Sequence, residues 1–452
     1  MIFSFIQYTQ PGWYFNLLPK ADKGFSTCWY HPQLLPLPNG ILLQEDEGYE
    51  TVAAKYADIG YRAWNAGVMQ VTDQSTINII QQLAKPALKD EYRFVTKYWG
   101  KHWAIITLIV RLFGLKNPFK EIPAFIHSSK VKRYPLYNNI FNWEDGYKTF
   151  QSTLVAQQPL VTIIIPTLNR YKYLKDVMTD LESQSYKNFD VIVVDQTEDF
   201  QLDFYNKYKL NCKVIHQKEK LLWTARNRAI KESKADFFLF FDDDSRVDAD
   251  WIEQHVKCLD FFKADISAGV SLSVIGSKVP ANYSFFRWAD QFDSGNALVT
   301  RNVLEKIGLF DLQFNKQSMG DSEFGLRAYL NGFKSISNPH GKRVHLKVSS
   351  GGLREIGHWD GFRPKKLFAP KPVPSVVYLY KKYYPHKLYR NMVYLGIILS
   401  NVSFKNKRNS KMIVVSAMLT FLKLPLLAVQ FRKSLNRANA MLLKGDKIEW
   451  LP

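Results

Sequence analysis

At 452 residues the chain is too long for one ordinary hydrophobic core, so two or three domains are expected. A hydrophobic content of 46% with 15% aromatics excludes a disordered protein, and three widely spaced cysteines, Cys28, Cys212 and Cys258, exclude a disulfide framework or a cysteine metal knuckle and fit a reducing compartment. The net charge of +20 is local: residues 361–452 hold 18 Lys or Arg against 2 acidic residues, leaving only +4 for residues 1–360.

Residues 1–150 are expected to form an N-terminal accessory domain of unknown role. The opening MIFSFIQYTQPGWYF lacks a basic start followed by a sustained apolar run, so no secretory signal is read there. YETVAAKYADIGYRAW is read as helical, and WAIITLIVRLFGL (103–115) has the length of a buried core helix. Trp13, Trp29 and Trp64 are read as core residues, with a sugar-stacking surface as the alternative.

From about Pro159 to Pro339 strands and helices alternate, which points to an α/β domain with a largely parallel sheet. VTIIIP (161–166) is a fully buried strand, and Leu174, Val177, Met178 and Leu181 then recur at helical spacing. FDVIVVD (189–195), CKVIHQ and DFFLFF (236–241) supply three more strands, and TARNRAIKES a helix before the last. Ligands in open α/β sheets bind outside the carboxyl ends of the strands. Thr167 to Arg170, Asp195 and Asp242 to Asp244 all fall at such ends, so one crevice is expected to collect them.

Three consecutive carboxylates directly after an apolar strand repel one another unless a positive charge sits among them. Side chains alternate along extended backbone, so Asp242 and Asp244 are expected to share a site while Asp243 points away. Such a pair suits an oxygen-liganded divalent cation, Mn2+ or Mg2+, bridging the phosphates of a nucleoside diphosphate. The alternative is an acidic turn in which Asp248 or Asp250 caps the helix WIEQHVKCLDFF.

These stretches together resemble the inverting family 2 glycosyltransferases of GT-A fold. VTIIIPTLNR is similar to that family's first strand and donor loop, VIVVDQTED to its second strand with the base-binding Asp, TARNRAI to its Ala-Arg-Asn helix and FFDDDS to its Asp-x-Asp signature. SGNALVTRNVLEKIGLFDLQF resembles the acceptor-side segment, and MGDSEFGLR the stretch carrying the catalytic acid, although Gly320-Asp321 stands where the family usually has Glu-Asp. The resemblance implies a GT-A catalytic domain over about 159–360 that moves a sugar from a nucleotide donor, with a UDP-sugar expected, to a glycan or lipid-linked acceptor in cell-surface polysaccharide synthesis. Asp321 would be the general base, and Glu323 would face away from it. Thr167, Asn169, Arg170, Asp195, Arg226, Asp242 and Asp243 would bind the donor, Asp195 through the nucleobase. Asp244 and His345 would ligate the metal, with His340 as competitor. Ser349 to Gly352 would form a loop closing over the diphosphate, with Arg354 as a phosphate clamp. The triple-Asp cluster, the N-terminal extension and the basic tail also resemble bacterial galactofuranosyltransferases in architecture. Rival readings are a nucleotidyltransferase on a similar sheet and a non-catalytic sugar- or lipid-binding relative.

Residues 361–452 are expected to be a basic, helical, membrane-associating region. The run at 412–431 contains Lys423 and Pro425, so lying in the bilayer interface suits it better than spanning. Lys405, Lys407, Arg408, Lys411, Arg432, Lys433 and Arg437 would attract anionic headgroups. A packed helical domain with a solvated basic face is the alternative, and no nucleic-acid module accompanies the charge. The expected location is cytoplasmic, peripheral on the inner face of the cell membrane.

Overall fold

The computed structural model describes residues 3–19, 26–27, 43–72, 82–348, 351–353, 360–364, 366–401 and 410–451, with isolated positions between them. It divides into two compact units, Met1–Asn142 with Tyr380–Phe431 and Trp143–Leu379 with Arg432–Pro452.

The second unit is built on a mixed nine-stranded sheet. Its strands are β1 (Val161–Thr167), β2 (Phe189–Asp195), β3 (Cys212–His216), β4 (Phe237–Phe241), β5 (Ser245–Val247), β6 (Ile266–Leu272), β7 (Arg287–Trp288), β8 (Asn296–Thr300) and β9 (Ser335–His345). They run in the order β3-β2-β1-β4-β8-β6-β9-β5, with β7 paired to β9. The first four are mutually parallel, β8 is antiparallel to β4 and β6, and β9 is parallel to β6. Every residue of β1 is buried, as the unbroken apolar run of a strand covered on both faces requires. Ile163 and Ile165 share one core with Leu174, Val177, Met178 and Leu181 of α1 (Tyr171–Glu182) and with Trp251, Ile252, Val256 and Leu259 of α3 (Trp251–Phe262). Between them in sequence, α2 (Leu222–Lys231) buries Trp223, Ala225, Ala229 and Ile230. Asp250 occupies the N-cap of α3 without a side-chain capping bond; its Oδ2 instead accepts from Gln254 at 2.9 Å.

The extreme C-terminal residues close this unit. Leu309 N–H donates to Glu449 O at 2.8 Å, and the Glu449 carboxylate accepts from Asn227 at 2.9 Å and Lys231 at 2.7 Å. Residues 361–452 are therefore not one body: 432–452 belong with the sheet, while 380–431 belong with the N-terminal segment. There Tyr384 OH donates to Gly12 O at 3.0 Å and Asn391 to Gln7 O at 3.3 Å.

The first unit is helical and rich in aromatic contacts. Trp13 and Trp64 are 5% and 3% exposed and meet edge-on at 6.1 Å, so both are core residues; Trp29 lies outside the described residues. Thr51 caps the helix Val52–Asn65 by accepting from Ala54 N–H. Asp58 on that helix is fully buried and takes bonds from Arg62, Lys97, Tyr49 and Tyr98. The run 103–115 is not a core helix. Helix Lys101–Phe113 fully buries only Ala104 and Thr107; Trp103 and Leu108 pack partly on the core, and Ile109, Val110 and Phe113 are exposed. The 412–431 run is broken at Lys423 into Ser410–Leu422 and Leu424–Lys444. Among the described residues no helix is long and apolar enough to cross a membrane.

Candidate active site

Strand register assembles the site. β1 and β4 end near one another, and Asp242 to Asp244 follow β4 directly. β5 leaves the acidic cluster at once and pairs antiparallel with the end of β9, with His345 opposite Ser245. Leu346 N–H donates to Asp244 O at 2.9 Å, and the His345 ring reaches Asp244, Nε2 to Oδ1 3.3 Å. His340, on the same strand, is elsewhere: it bonds Glu144 at 3.0 Å and stacks on Tyr147.

A cavity of about 230 Å³ opens there, walled by five carboxylates (Asp242, Asp243, Asp244, Asp293 and Asp321), three guanidiniums (Arg170, Arg226 and Arg343) and His345. With every carboxylate ionised and the imidazole neutral, as a metal ligand must be, these leave two negative charges uncompensated, the charge of one divalent cation. Ligand atoms of Asp242, Asp244 and His345 lie within 4.8 Å of one another. Two carboxylates and an imidazole converging on an acidic surplus fit such a cation.

Each carboxylate is tuned separately. Asp242 bridges Arg343 at 2.7 Å and Arg226 at 3.0 Å; burial would raise its pKa, but these two cations hold it well below the ordinary range. Asp244 is likewise lowered, against burial, by the bond to His345 and by Arg170, 3.3 Å away. Asp243 does not point away from the site. Thr167 Oγ1 and Arg170 both donate to it at 2.8 Å, which holds it in the cavity wall, where burial wins over Arg170 and lifts its pKa to about 6. Thr167 and Asp243 thus satisfy each other.

Asp195 is not brought into this cavity. Its side chain is fully buried and takes bonds from Tyr171 OH at 2.6 Å, Tyr205 OH at 2.7 Å and Thr197 N–H at 2.9 Å. A direct contact to a nucleobase would need one tyrosine to yield its place. Asn169 is exposed, outside the cavity wall, with φ 55°; its N–H bonds Thr197 Oγ1 at 2.9 Å.

Asp321 enters from the first turn of α4 (Gly320–Leu330). Ser294 donates to its Oδ1 through both its N–H, at 3.0 Å, and its hydroxyl. Burial raises the Asp321 pKa, with Arg226 opposing. Arg226 joins the two halves of the site, one nitrogen donating to Asp242 at 3.0 Å and to Ser294 O at 2.8 Å. Glu323 faces the fold instead, fully buried and paired through both oxygens with Arg327 at 2.9 and 3.0 Å. Gly320 also has a reason: a Cβ there would lie 2.2 Å from the Trp223 ring. The indole, fixed by its N–H to Phe314 O at 3.0 Å, fills the space a preceding Glu would need.

Gly351 and Gly352 pack on the loop after β1: Gly352 N–H donates to Leu168 O at 2.7 Å, both have positive φ, and a Cβ on either would strike Asn169 or Arg170. Leu353 lines the cavity, whereas Ser349, Ser350 and Arg354 lie outside the described residues. Arg343, Asp293 and Ser294 are the site residues not singled out from sequence. Arg343 is 2% exposed and ties Asp242 to Asp293, 2.9 Å away. Its signal was its position two before His345 on one strand, hence on the same face.

A glycosyl transferase family 2 model matches residues 162–314. The poly(ribitol-phosphate) beta-N-acetylglucosaminyltransferase TarS of Staphylococcus aureus is 28% identical over 188 residues, 38% of this chain and 32% of that protein. The putative glycosyltransferase EpsH of Bacillus subtilis is 29% identical over 105 residues, 22% of this chain and 30% of that protein. A dolichyl N-acetyl-alpha-D-glucosaminyl phosphate 3-beta-D-2,3-diacetamido-2,3-dideoxy-beta-D-glucuronosyltransferase of Methanococcus voltae is 23% identical over 209 residues, 40% of this chain and 64% of its own. The chain thus spans less than two thirds of these relatives' lengths. Among solved structures, the mannosyltransferase PcManGT of Pyrobaculum calidifontis, in complex with GDP-Man and Mn2+, is 15% identical, with 66% of this chain and 92% of that one covered and a TM-score of 0.39. TarS residues 1–349 with UDP-GlcNAc give 24%, 43%, 60% and 0.37 in the same order. Asp321, Arg343 and His345 lie beyond the matched span, so their place in the site rests on geometry. Over residues 162–314 the sheet domain of this chain is similar to glycosyl transferase family 2.

Proposed function

We propose that the protein transfers a sugar from a nucleotide-sugar donor, with UDP as the nucleotide, to a hydroxyl of a glycan or lipid-linked acceptor, inverting the anomeric centre. The observation that carries this reading is the single cavity in which the raised carboxyl of Asp321 shares a wall with the Asp242, Asp244 and His345 cluster. A sugar hydroxyl is a poor nucleophile and needs a carboxylate to take its proton as the new bond forms. Asp321 has that role: its Oδ1 is held by Ser294, while Oδ2 accepts no bond from a described residue. A divalent cation held by Asp244, His345 and Asp242 would neutralise the departing diphosphate. Arg226 and Arg343 keep Asp242 ionised, and Arg170 does the same beside Asp244. Leu353 lines the cavity, and the two glycines before it pack on the loop after β1. Thr167, Asn169 and Asp195 act in donor binding through the loops they brace.

The acceptor belongs to cell-surface polysaccharide synthesis, and the basic residues of 361–452 draw the enzyme to the inner face of the cell membrane. Screening a panel of nucleotide sugars, furanose donors among them, for binding and for diphosphate release tests the reading. Release of pyrophosphate would favour a nucleotidyltransferase, and binding without any turnover would favour a non-catalytic relative.

A further inference from the structure

The N-terminal unit carries a helical hairpin whose polarity is inverted for a surface in water. Helices Lys101–Phe113 and Pro118–Ser128 are joined by residues 114–117. Their inward side buries Ala104, Thr107, Ala124 and Ser128, packs Trp103, Leu108 and Phe125 partly on the core, and holds Glu121, bound by Arg111 at 2.8 Å and by Tyr92 OH at 2.8 Å. The outward side is large and apolar. At the tip Phe113, Leu115 and Phe119 are 86%, 94% and 87% exposed, and Ile109, Ile122 and Ile126 continue the surface. Monomeric soluble proteins seldom expose so continuous an apolar patch unless something covers it.

Charge identifies the occupant. Residues 101–133 hold seven Lys or Arg and a single acid, Glu121, which is buried and paired. Lys116 and Lys120 flank the tip. A second copy would bring like charges together, whereas an anionic bilayer offers apolar chains beneath negative headgroups. A 13-residue helix is about 20 Å long, short of the roughly 30 Å hydrocarbon core, so it reaches one leaflet only. We propose that this hairpin is a one-leaflet membrane anchor, with Phe113, Leu115 and Phe119 entering an anionic bilayer and Lys116 and Lys120 at the headgroups. The proposal is independent of the sugar-transfer reading and assigns insertion into the bilayer to the N-terminal segment, while the basic residues of 361–452 supply attraction to its surface.

The test is co-sedimentation of the full-length protein with phosphatidylcholine vesicles with and without phosphatidylglycerol. Wild type is expected to bind the anionic vesicles, and Leu115→Glu/Phe119→Glu to lower the partition coefficient at least about tenfold, with an unchanged thermal melt because neither side chain is buried. Phe421→Glu/Leu422→Glu, on an exposed stretch of the C-terminal run, is the matched control and is expected to change binding less. Undiminished binding of the hairpin variant, or loss only in the C-terminal variant, would overturn the proposal. So would a wild type that ignores vesicles but forms a dimer that Leu115→Glu/Phe119→Glu dissociates.

Discussion

Asp321→Asn separates chemistry from structure at the proposed base. The amide keeps an acceptor oxygen for the Ser294 N–H and hydroxyl, the two groups that hold Oδ1, so fold and donor affinity are expected to persist. What is lost is the proton acceptor, and loss of a general base costs about 10²–10⁴-fold in rate, or about 3–5 kcal/mol of transition-state stabilisation. Because burial raises the Asp321 pKa above its ordinary 3.8, the wild-type rate is expected to fall with acid at a pH above that value, as the base becomes protonated; the Asn variant is expected to lack this limb. Single-turnover transfer across pH measures the first effect, and calorimetric donor binding with a thermal melt measures the second. Glu323→Gln is not a neutral control. It removes one charge from a buried pair with Arg327, a change that costs about 3–5 kcal/mol when a partner is lost outright, less here because Gln retains a hydrogen bond. Its signature is a lowered melt with transfer retained by the folded fraction. Wild-type transfer by Asp321→Asn, alongside an inactive but fully stable Glu323→Gln, would move the base to Glu323 and refute the assignment.

Asp244→Asn removes one ligand charge from the Asp242, Asp244 and His345 cluster, so Mn2+ affinity by titration calorimetry should fall at least about tenfold, with EDTA mimicking the loss of turnover; unchanged Mn2+ binding would remove Asp244 from the site. Gly320→Glu, which installs the residue usual in the family, should cost about 1–3 kcal/mol in chemical unfolding by displacing the Trp223 ring, and Trp223→Leu in the same chain should recover part of it; additive effects would contradict the packing argument. Burial lowers the His255 pKa from 6.5 to about 4: the unfolded ring takes a proton below about 6.5, the folded ring only below about 4. Stability from this group is therefore complete above the first value and lost by about 3 kcal/mol as pH falls to the second; denaturation series across that window should show a shallower slope in His255→Gln.

The strands and the acidic cluster were legible because their signals are local. VTIIIP and DFFLFF are the unbroken apolar runs of buried parallel strands, and Leu174, Val177, Met178 and Leu181 form the inward face of α1. Three carboxylates after an apolar strand announce a charged site wherever the chain then goes. Helix Lys101–Phe113 misled for the complementary reason: composition records that a run is apolar, not which side meets the core, and only Ala104 and Thr107 are fully buried while Phe113 at its end is exposed.

Sequence by itself determined the four parallel strands of the sheet domain and the helices between them, the acidic crevice at those strand ends and a short set of residues for transfer chemistry. Tertiary structure alone decided that Asp243 is clamped by Thr167 and Arg170, that Asp195 is closed off by Tyr171 and Tyr205, and that Arg343 joins Asp242 and Asp293 from 101 and 50 residues away. Burial pattern and chain order are written along the backbone, whereas the partner of a buried charge is set by the register of strands distant in sequence; His345 meets Asp244 because β9 pairs with β5 at Ser245, and no local pattern encodes that pairing.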